Sequence, residues 1–195
     1  IYTLSLHDAL PISTSGRSTA AQGGRAGAHW RAEGSMNEHG GQPGRIRPAR
    51  MGDVHRIHEM LNGFADQRLM LPRAVSSIYD HLRDFVVYAE GEQLFGICAL
   101  QICWDNLAEI RSLAVDVSRQ KMGIGRSLVS SCLDEARLLE IGQVFTLTYQ
   151  APFFRKLGFQ DTDKQLLPHK IWSDCLHCPK FPDCDEDALI WRAGA

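Results

Sequence analysis

The sequence predicts an α+β fold: a mixed, mainly antiparallel sheet flanked by helices, followed by a cysteine-containing C-terminal extension. Three observations predict it. Residues 53–82 carry apolar side chains at helical spacing. Three strand-length runs follow one another between 85 and 115 through short polar turns, the pattern of successive hairpins. A strand, a glycine loop, a long amphipathic helix and a further strand then occupy 108–148, which is one βαβ crossover.

In chain order, Arg45 to Arg47 is a short strand closed by Pro48. Asp53 is placed to cap a helix with Val54, Ile57, Leu61 and Phe64 on one face. A second helix aligns Val75, Ile78, Tyr79 and Leu82. Phe85 to Ala89 and Gln93 to Trp104 are hairpin partners across Glu90-Gly91-Glu92, and Asp105-Asn106 turns the chain into a third strand, Ala108 to Val115. The long helix puts Ile124, Leu128, Cys132, Ala136 and Leu139 inward, and Gly142 ends it. Gln143 to Thr148 is a strand, Pro152 to Lys156 a short helix, and Gly158-Phe159 opens a last strand. The order is β-α-α-β-β-β-α-β-α-β.

Composition narrows the function. The chain has 195 residues, of which 44% are hydrophobic and 23% charged, so it can fill a core. Its net charge of −2 lacks the basic surplus of a nucleic-acid binder. The longest apolar run, Leu94 to Trp104, is strand-sized and no membrane span is expected. Six cysteines are too few for a disulfide scaffold at this length, which suits a cytoplasmic protein. Residues 1–44 are expected to be a disordered or artefactual segment: Thr3 to Ile12 looks like the in-frame translation of a sequencing-library adapter, a short natural amphipathic start being the alternative. Ser13 to Gly44 is rich in Gly, Ala, Ser and Arg without hydrophobic period, Ile1 to Ser13 makes a poor signal peptide, and Met36 is a plausible start. The working domain is placed at 45–165, and the extension at 166–195, packed on the same domain.

The most informative stretch is Glu109 to Leu128. A strand feeds Gln120-Lys121-Met122-Gly123-Ile124-Gly125, where the long helix begins. Glycines at a helix start let backbone N–H groups approach a ligand, and the helix dipole favours an anion such as a pyrophosphate. Lys121 and Arg126 add positive charge. The spacing is neither a Walker P-loop nor a dinucleotide fingerprint.

Leu113-Ala114-Val115 followed by Gln120-x-x-Gly123-x-Gly125 resembles the acetyl-CoA signature of the GNAT superfamily of N-acetyltransferases, and Leu157-Gly158-Phe159 resembles a later motif of that family. The resemblance covers about Arg45 to Phe159 and implies the GNAT-type sheet, acetyl-CoA as co-substrate and an acyltransferase activity. It implies main-chain hydrogen bonds from Leu113 and Val115 to pantetheine, and a pyrophosphate held by the amides of Gln120 to Gly125. Leu71-Pro72-Arg73, Trp104 to Arg111, Thr148-Tyr149-Gln150 and Leu166-Leu167-Pro168 are similar to short bacterial amino-acid acetyltransferases without a kinase-like domain. That implies transfer of acetyl to the α-amine of L-glutamate, the first step of arginine biosynthesis.

Acetyl transfer to an amine needs a base, and Glu109 is the candidate; a solvated strand residue, or one that pairs with Arg111 on the same face, is the competing reading. A backbone N–H, most simply that of Leu113, polarises the carbonyl. Many GNAT enzymes carry a tyrosine where this chain has Phe154, and Tyr149 is the nearest substitute as general acid. A substrate with two carboxylates calls for cations: Arg111, Arg73 and Lys170. Cys175, Cys178 and Cys184 form C-x₂-C-x₅-C, which with His177 or His169 matches a structural zinc site; a turn of free thiols is the alternative. Cys98, Cys103 and Cys132 fall on core-type faces. Alternative functions are acetylation of another amino acid, amine or protein N-terminus, or a non-catalytic metal-binding interaction module. A homo-oligomer is compatible with the sequence.

Overall fold

The computed structural model describes residues 44–167 and 184–194. Their strands are β1 (Arg45–Pro48), β2 (Phe85–Glu90), β3 (Gln93–Trp104), β4 (Leu107–Val115), β5 (Gln143–Thr148), β6 (Gln160–Asp161) and β7 (Asp187–Arg192). The helices are α1 (Val54–Asp66), α2 (Val75–Asp80), α3 (Ile124–Leu138) and α4 (Ala151–Arg155), with 3₁₀ turns at Met51–Asp53, Leu82–Asp84, Val117–Arg119 and Lys164–Leu166. The sheet runs β1-β2-β3-β4-β5-β7-β6 and is antiparallel except at β4–β5. No helix among these residues is long and apolar enough to cross a membrane.

Both faces of the sheet are covered, by three apolar clusters. On one face α3 and α4 bury Leu128, Val129, Cys132 and Phe154 against Cys98, Leu100, Ala108 and Ile110. On the other, α1 and α2 bury Ile57, Leu61 and Ile78 against Val87, Ile97 and Ala114. Each such large side chain contributes roughly 1.5–3 kcal/mol on leaving water. The same second face continues over β5 and β7, where Leu167 covers Leu107, Phe145, Ala188 and Ile190. Gly96 lets α3 seat closely: a Cβ there would lie 2.9 Å from Leu128 Cδ1 and 3.0 Å from Ile124 Cγ2.

The expected elements are present in the expected order, with local differences. Asp53 flanks α1 but does not cap it. Its carboxylate, with Arg47 at 2.7 and 2.9 Å and the Arg50 amide at 2.7 Å, ties β1 to the 3₁₀ turn. Burial opposes its charge, yet these hydrogen bonds hold the carboxyl below its ordinary range. α2 ends at Asp80, so Leu82 is buried from the following 3₁₀ turn and Tyr79 is exposed. Cys98 and Cys132 are fully buried, whereas Cys103 is half-buried beside the third cluster. The thiol of Cys132 is pushed well up by its hydrogen bond to Cys98 and by burial. The strand after Phe159 is only two residues long. β7, absent from the predicted order, comes from the C-terminal stretch and lies between β5 and β6.

Helix α3 also ends differently. Leu139 lies past its last turn and is 49% exposed, and Ile141 is the residue that returns to the core. The terminus is a Schellman arrangement: Ile141 N–H donates to Ala136 O (2.8 Å) and Glu140 N–H to Arg137 O (3.0 Å). The left-handed position is taken by Glu140, at φ 58°, and not by Gly142, whose N–H donates to Asn106 Oδ1. A non-glycine residue in that conformation is strained. Glu140→Gly is therefore expected to stabilise the protein by about 0.5–1 kcal/mol, read as a rise in Tm of about 1–4 °C. An unchanged or lower Tm would contradict this account of the helix end.

Candidate active site

The site follows from where one ladder stops. β4 and β5 pair only at Leu107–Gln143, Ala108–Val144 and Glu109–Phe145, then separate. The gap opens into a cleft of about 950 Å³ lined by both strands, the glycine loop, the α1–α2 connection and two C-terminal segments. β4 is bulged where it leaves β5: Ile97 pairs with Ala114 and Ala99 with Arg111, so three steps on β4 oppose two on β3. Ser112 absorbs the extra residue at φ 56°. The bulge reverses the alternation. Arg111 and Ala114 end on the α1–α2 face, while Leu113 and Val115 pack towards α3.

The loop is held by side-chain hydrogen bonds. Asp116 accepts hydrogen bonds from the Ser118 amide (3.0 Å) and hydroxyl (2.7 Å), and Gln120 Nε2 donates to Val115 O at 3.1 Å. Arg119 donates to both Glu90 oxygens (3.1 and 3.0 Å) and lies 4.5 Å from the centre of the Phe95 ring. Those hydrogen bonds hold the Glu90 carboxyl below its ordinary value. Lys121 (φ 63°) and Gly123 (φ 85°) turn the chain into α3, whose first N–H groups have no partner four residues back. A Cβ at Gly125 would make only ordinary contacts with Phe153 and Val115, so protein packing does not demand a glycine there. This arrangement can receive an anion at the helix start.

The expected residues gather in this cleft. Glu109 and Arg111 form its floor, 3.7 Å apart, with side chains 16% and 17% exposed, and Arg111 also donates to Gln101. Leu113, Val115, Gln120, Lys121, Gly123, Ile124, Gly125 and Arg126 line the loop half. Met122 is more than half exposed and outside the lining, which leaves only its backbone for a role there. Arg73 lies on the α1–α2 wall, its backbone held by the Asn62 side chain at 3.1 and 3.2 Å. Tyr149 is on the opposite wall and donates its hydroxyl proton to Asp185 at 2.6 Å.

Lys170, His169 and the proposed metal ligands Cys175, His177 and Cys178 lie outside the described residues. Cys184 is described and lines the cleft, 3.9 Å from Glu186 Oε2. No group of three metal-ligating side chains occurs among the described residues. Sequence reasoning missed Arg119, Lys164 and Glu186 in the cleft. Arg119 adjoins the recognised motif, but its partner Glu90 is 29 positions away; Lys164 and Glu186 reach the site only through the pairing of β7 with β5 and β6.

The site is thus a cleft where one parallel ladder parts above a glycine-containing helix start, with an acid–arginine pair on its floor. The acetyltransferase (GNAT) domain family matches residues 81–161. An uncharacterised N-acetyltransferase of Chlorobaculum tepidum is 42% identical over 147 residues, covering 74% of this chain and 94% of that protein. The amino-acid acetyltransferase of Mycobacterium tuberculosis is 34% identical over 122 residues, 60% of this chain and 69% of that one. The crystal structure of N-acetylglutamate synthase from Neisseria gonorrhoeae, complexed with coenzyme A and N-acetyl-glutamate, superposes with a TM-score of 0.70 at 26% identity. That likeness spans 76% of this chain and 35% of the synthase. This chain belongs to the GNAT superfamily and is an N-acetyltransferase.

The bulge makes a direct prediction. A β-branched side chain is strongly disfavoured at positive φ. Ser112→Val is expected to cost about 1–2 kcal/mol in denaturant unfolding, and Ser112→Gly to cost nothing or to stabilise. Equal midpoints for the valine variant and the parent would refute the left-handed bulge.

Proposed function

We propose that this protein transfers the acetyl group of acetyl-CoA to the α-amine of L-glutamate, the opening reaction of arginine biosynthesis. The observation that carries the reading is the cleft itself: the parted β4–β5 edge and glycine loop suit a thioester with a diphosphate, and the acceptor half presents Arg73 and Arg111 to carboxylates. The similarity to an amino-acid acetyltransferase and to an N-acetylglutamate synthase supports it.

In this reading the diphosphate of acetyl-CoA rests on the amides from Gln120 to Gly125, with Lys121 and Arg126 adding charge. Pantetheine lies along the β4 edge at Leu113 and Val115, which sets the thioester carbonyl near the Leu113 N–H. The α-amine of the acceptor, made neutral by proton loss to Glu109 directly or through water, attacks the carbonyl carbon. The C–N bond forms, the amine nitrogen gives up its second proton, the oxyanion collapses and the C–S bond breaks; the thiolate leaves and takes up that proton, relayed by water or by Tyr149, which is reprotonated in turn. Arg111, beside Glu109 on the floor, and Arg73 on the wall orient the acceptor's carboxylates. The hydrogen bond from Tyr149 to Asp185 holds its ring at the cleft wall.

A thiol-release assay with acetyl-CoA across the amino acids tests this, with L-glutamate expected to be the preferred acceptor. Preference for another amino acid or for a peptide N-terminus would replace the glutamate assignment. Glu109→Gln is expected to lower kcat by about 10²–10⁴ with KM for either substrate within about threefold. Arg111→Ala should raise the KM for glutamate at least about tenfold and leave that for acetyl-CoA nearly unchanged. Equal effects on both substrates would remove Arg111 from the acceptor site.

A further inference from the structure

The face of the sheet that carries Glu109 and Arg111 is roofed in two parts. The α1–α2 layer covers β2 to β4, and the 164–167 turn with Leu167 covers β4, β5 and β7. The acceptor half of the cleft lies between these roofs, with Arg73 on one side and Lys164 on the other. Lys164 begins the 3₁₀ turn Lys164–Leu166, set by Asp163 accepting the Gln165 amide at 2.8 Å. Its ammonium donates to the carbonyl of Cys184 at 2.8 Å. Among the described residues that carbonyl is its only hydrogen-bond partner, and no carboxylate stands within ion-pair distance.

An ammonium has three N–H donors, and a neutral carbonyl uses one without balancing the charge. A half-buried cation in that state is better solvated by an arriving anion. Glu109 is engaged with Arg111 on the floor, and of the cations lining the cleft Arg73 comes from the α1–α2 connection and Lys164 from the turn after β6, where Glu186 also lines it. An amino acid whose α-amine points at Glu109 can direct one carboxylate to the Arg73–Arg111 side and a second, on its side chain, across to Lys164.

Resting on the glutamate reading above, we propose that Lys164 receives the side-chain carboxylate of the acceptor and sets the preference for glutamate over glutamine. The carbonyl of Cys184 holds the ammonium in place, which makes the turn after β6 and the start of β7 a single specificity element.

The test is calorimetric binding of L-glutamate and L-glutamine to protein saturated with CoA, for the parent, Lys164→Met and Lys164→Arg. The parent is expected to bind glutamate at least about tenfold more tightly than glutamine. Lys164→Met should bring that ratio to about threefold or less through loss of glutamate affinity, and Lys164→Arg should restore most of it. A merely structural lysine, holding Cys184 in place, would weaken both ligands together and keep the ratio, which overturns the proposal. Parent protein that binds CoA and prefers a different amino acid over glutamate overturns the functional reading instead, so the two failures are distinguishable.

Discussion

The β4–β5 ladder stops after three residue pairs, and the rest of the site depends on that stop. A parallel pair continued to the strand ends would cover the β4 edge with β5. Here the strands part beyond Glu109, the bulge at Ser112 turns β4 away, and backbone that would have served the sheet faces a cleft instead. The strain of a serine in left-handed conformation is held by the β3 pairing on both sides of it, at Ala99–Arg111 and Ile97–Ala114.

Rigid supports surround this opening. α3 is fixed by the close approach of Leu128 and Ile124 to Gly96, and its start is aimed at the cleft by the turn through Lys121 and Gly123. The clamp of Arg119 on Glu90 and Phe95 fastens the loop to the β2–β3 hairpin. The loop backbone is thus held by side-chain hydrogen bonds of Arg119, Gln120 and Asp116. The Gly125 position stays bare, although packing alone would tolerate a methyl group there.

Charge in the acceptor half is distributed by element. The floor pair comes from one strand, Arg73 from the helical layer and Lys164 from the C-terminal roof. Each is on a different piece of chain. Glu186 and Asp185 bring carboxylates to the same roof, where Tyr149 engages Asp185.

The strands, helices and glycine loop from 45 to 161 were legible because their hydrophobic periods are local, and the alternation along β4 correctly joined Glu109 to Arg111. The same alternation fails two residues later, since a bulge is decided by pairing with β3 and leaves no mark in the serine itself. Leu139 and Gly142 were misread because Glu140 takes the left-handed turn that glycine usually takes. Asp187–Arg192 was read as part of an extension because β7 is paired on both sides by strands 26 or more positions earlier. The sequence alone therefore determined the class of fold, the anion-ready helix start and the acid–arginine pair, all of which rest on neighbours in the chain. Only the tertiary structure decided where the ladder opens, which face each β4 residue meets and that Lys164 lines the cleft, because each depends on pairing between distant strands.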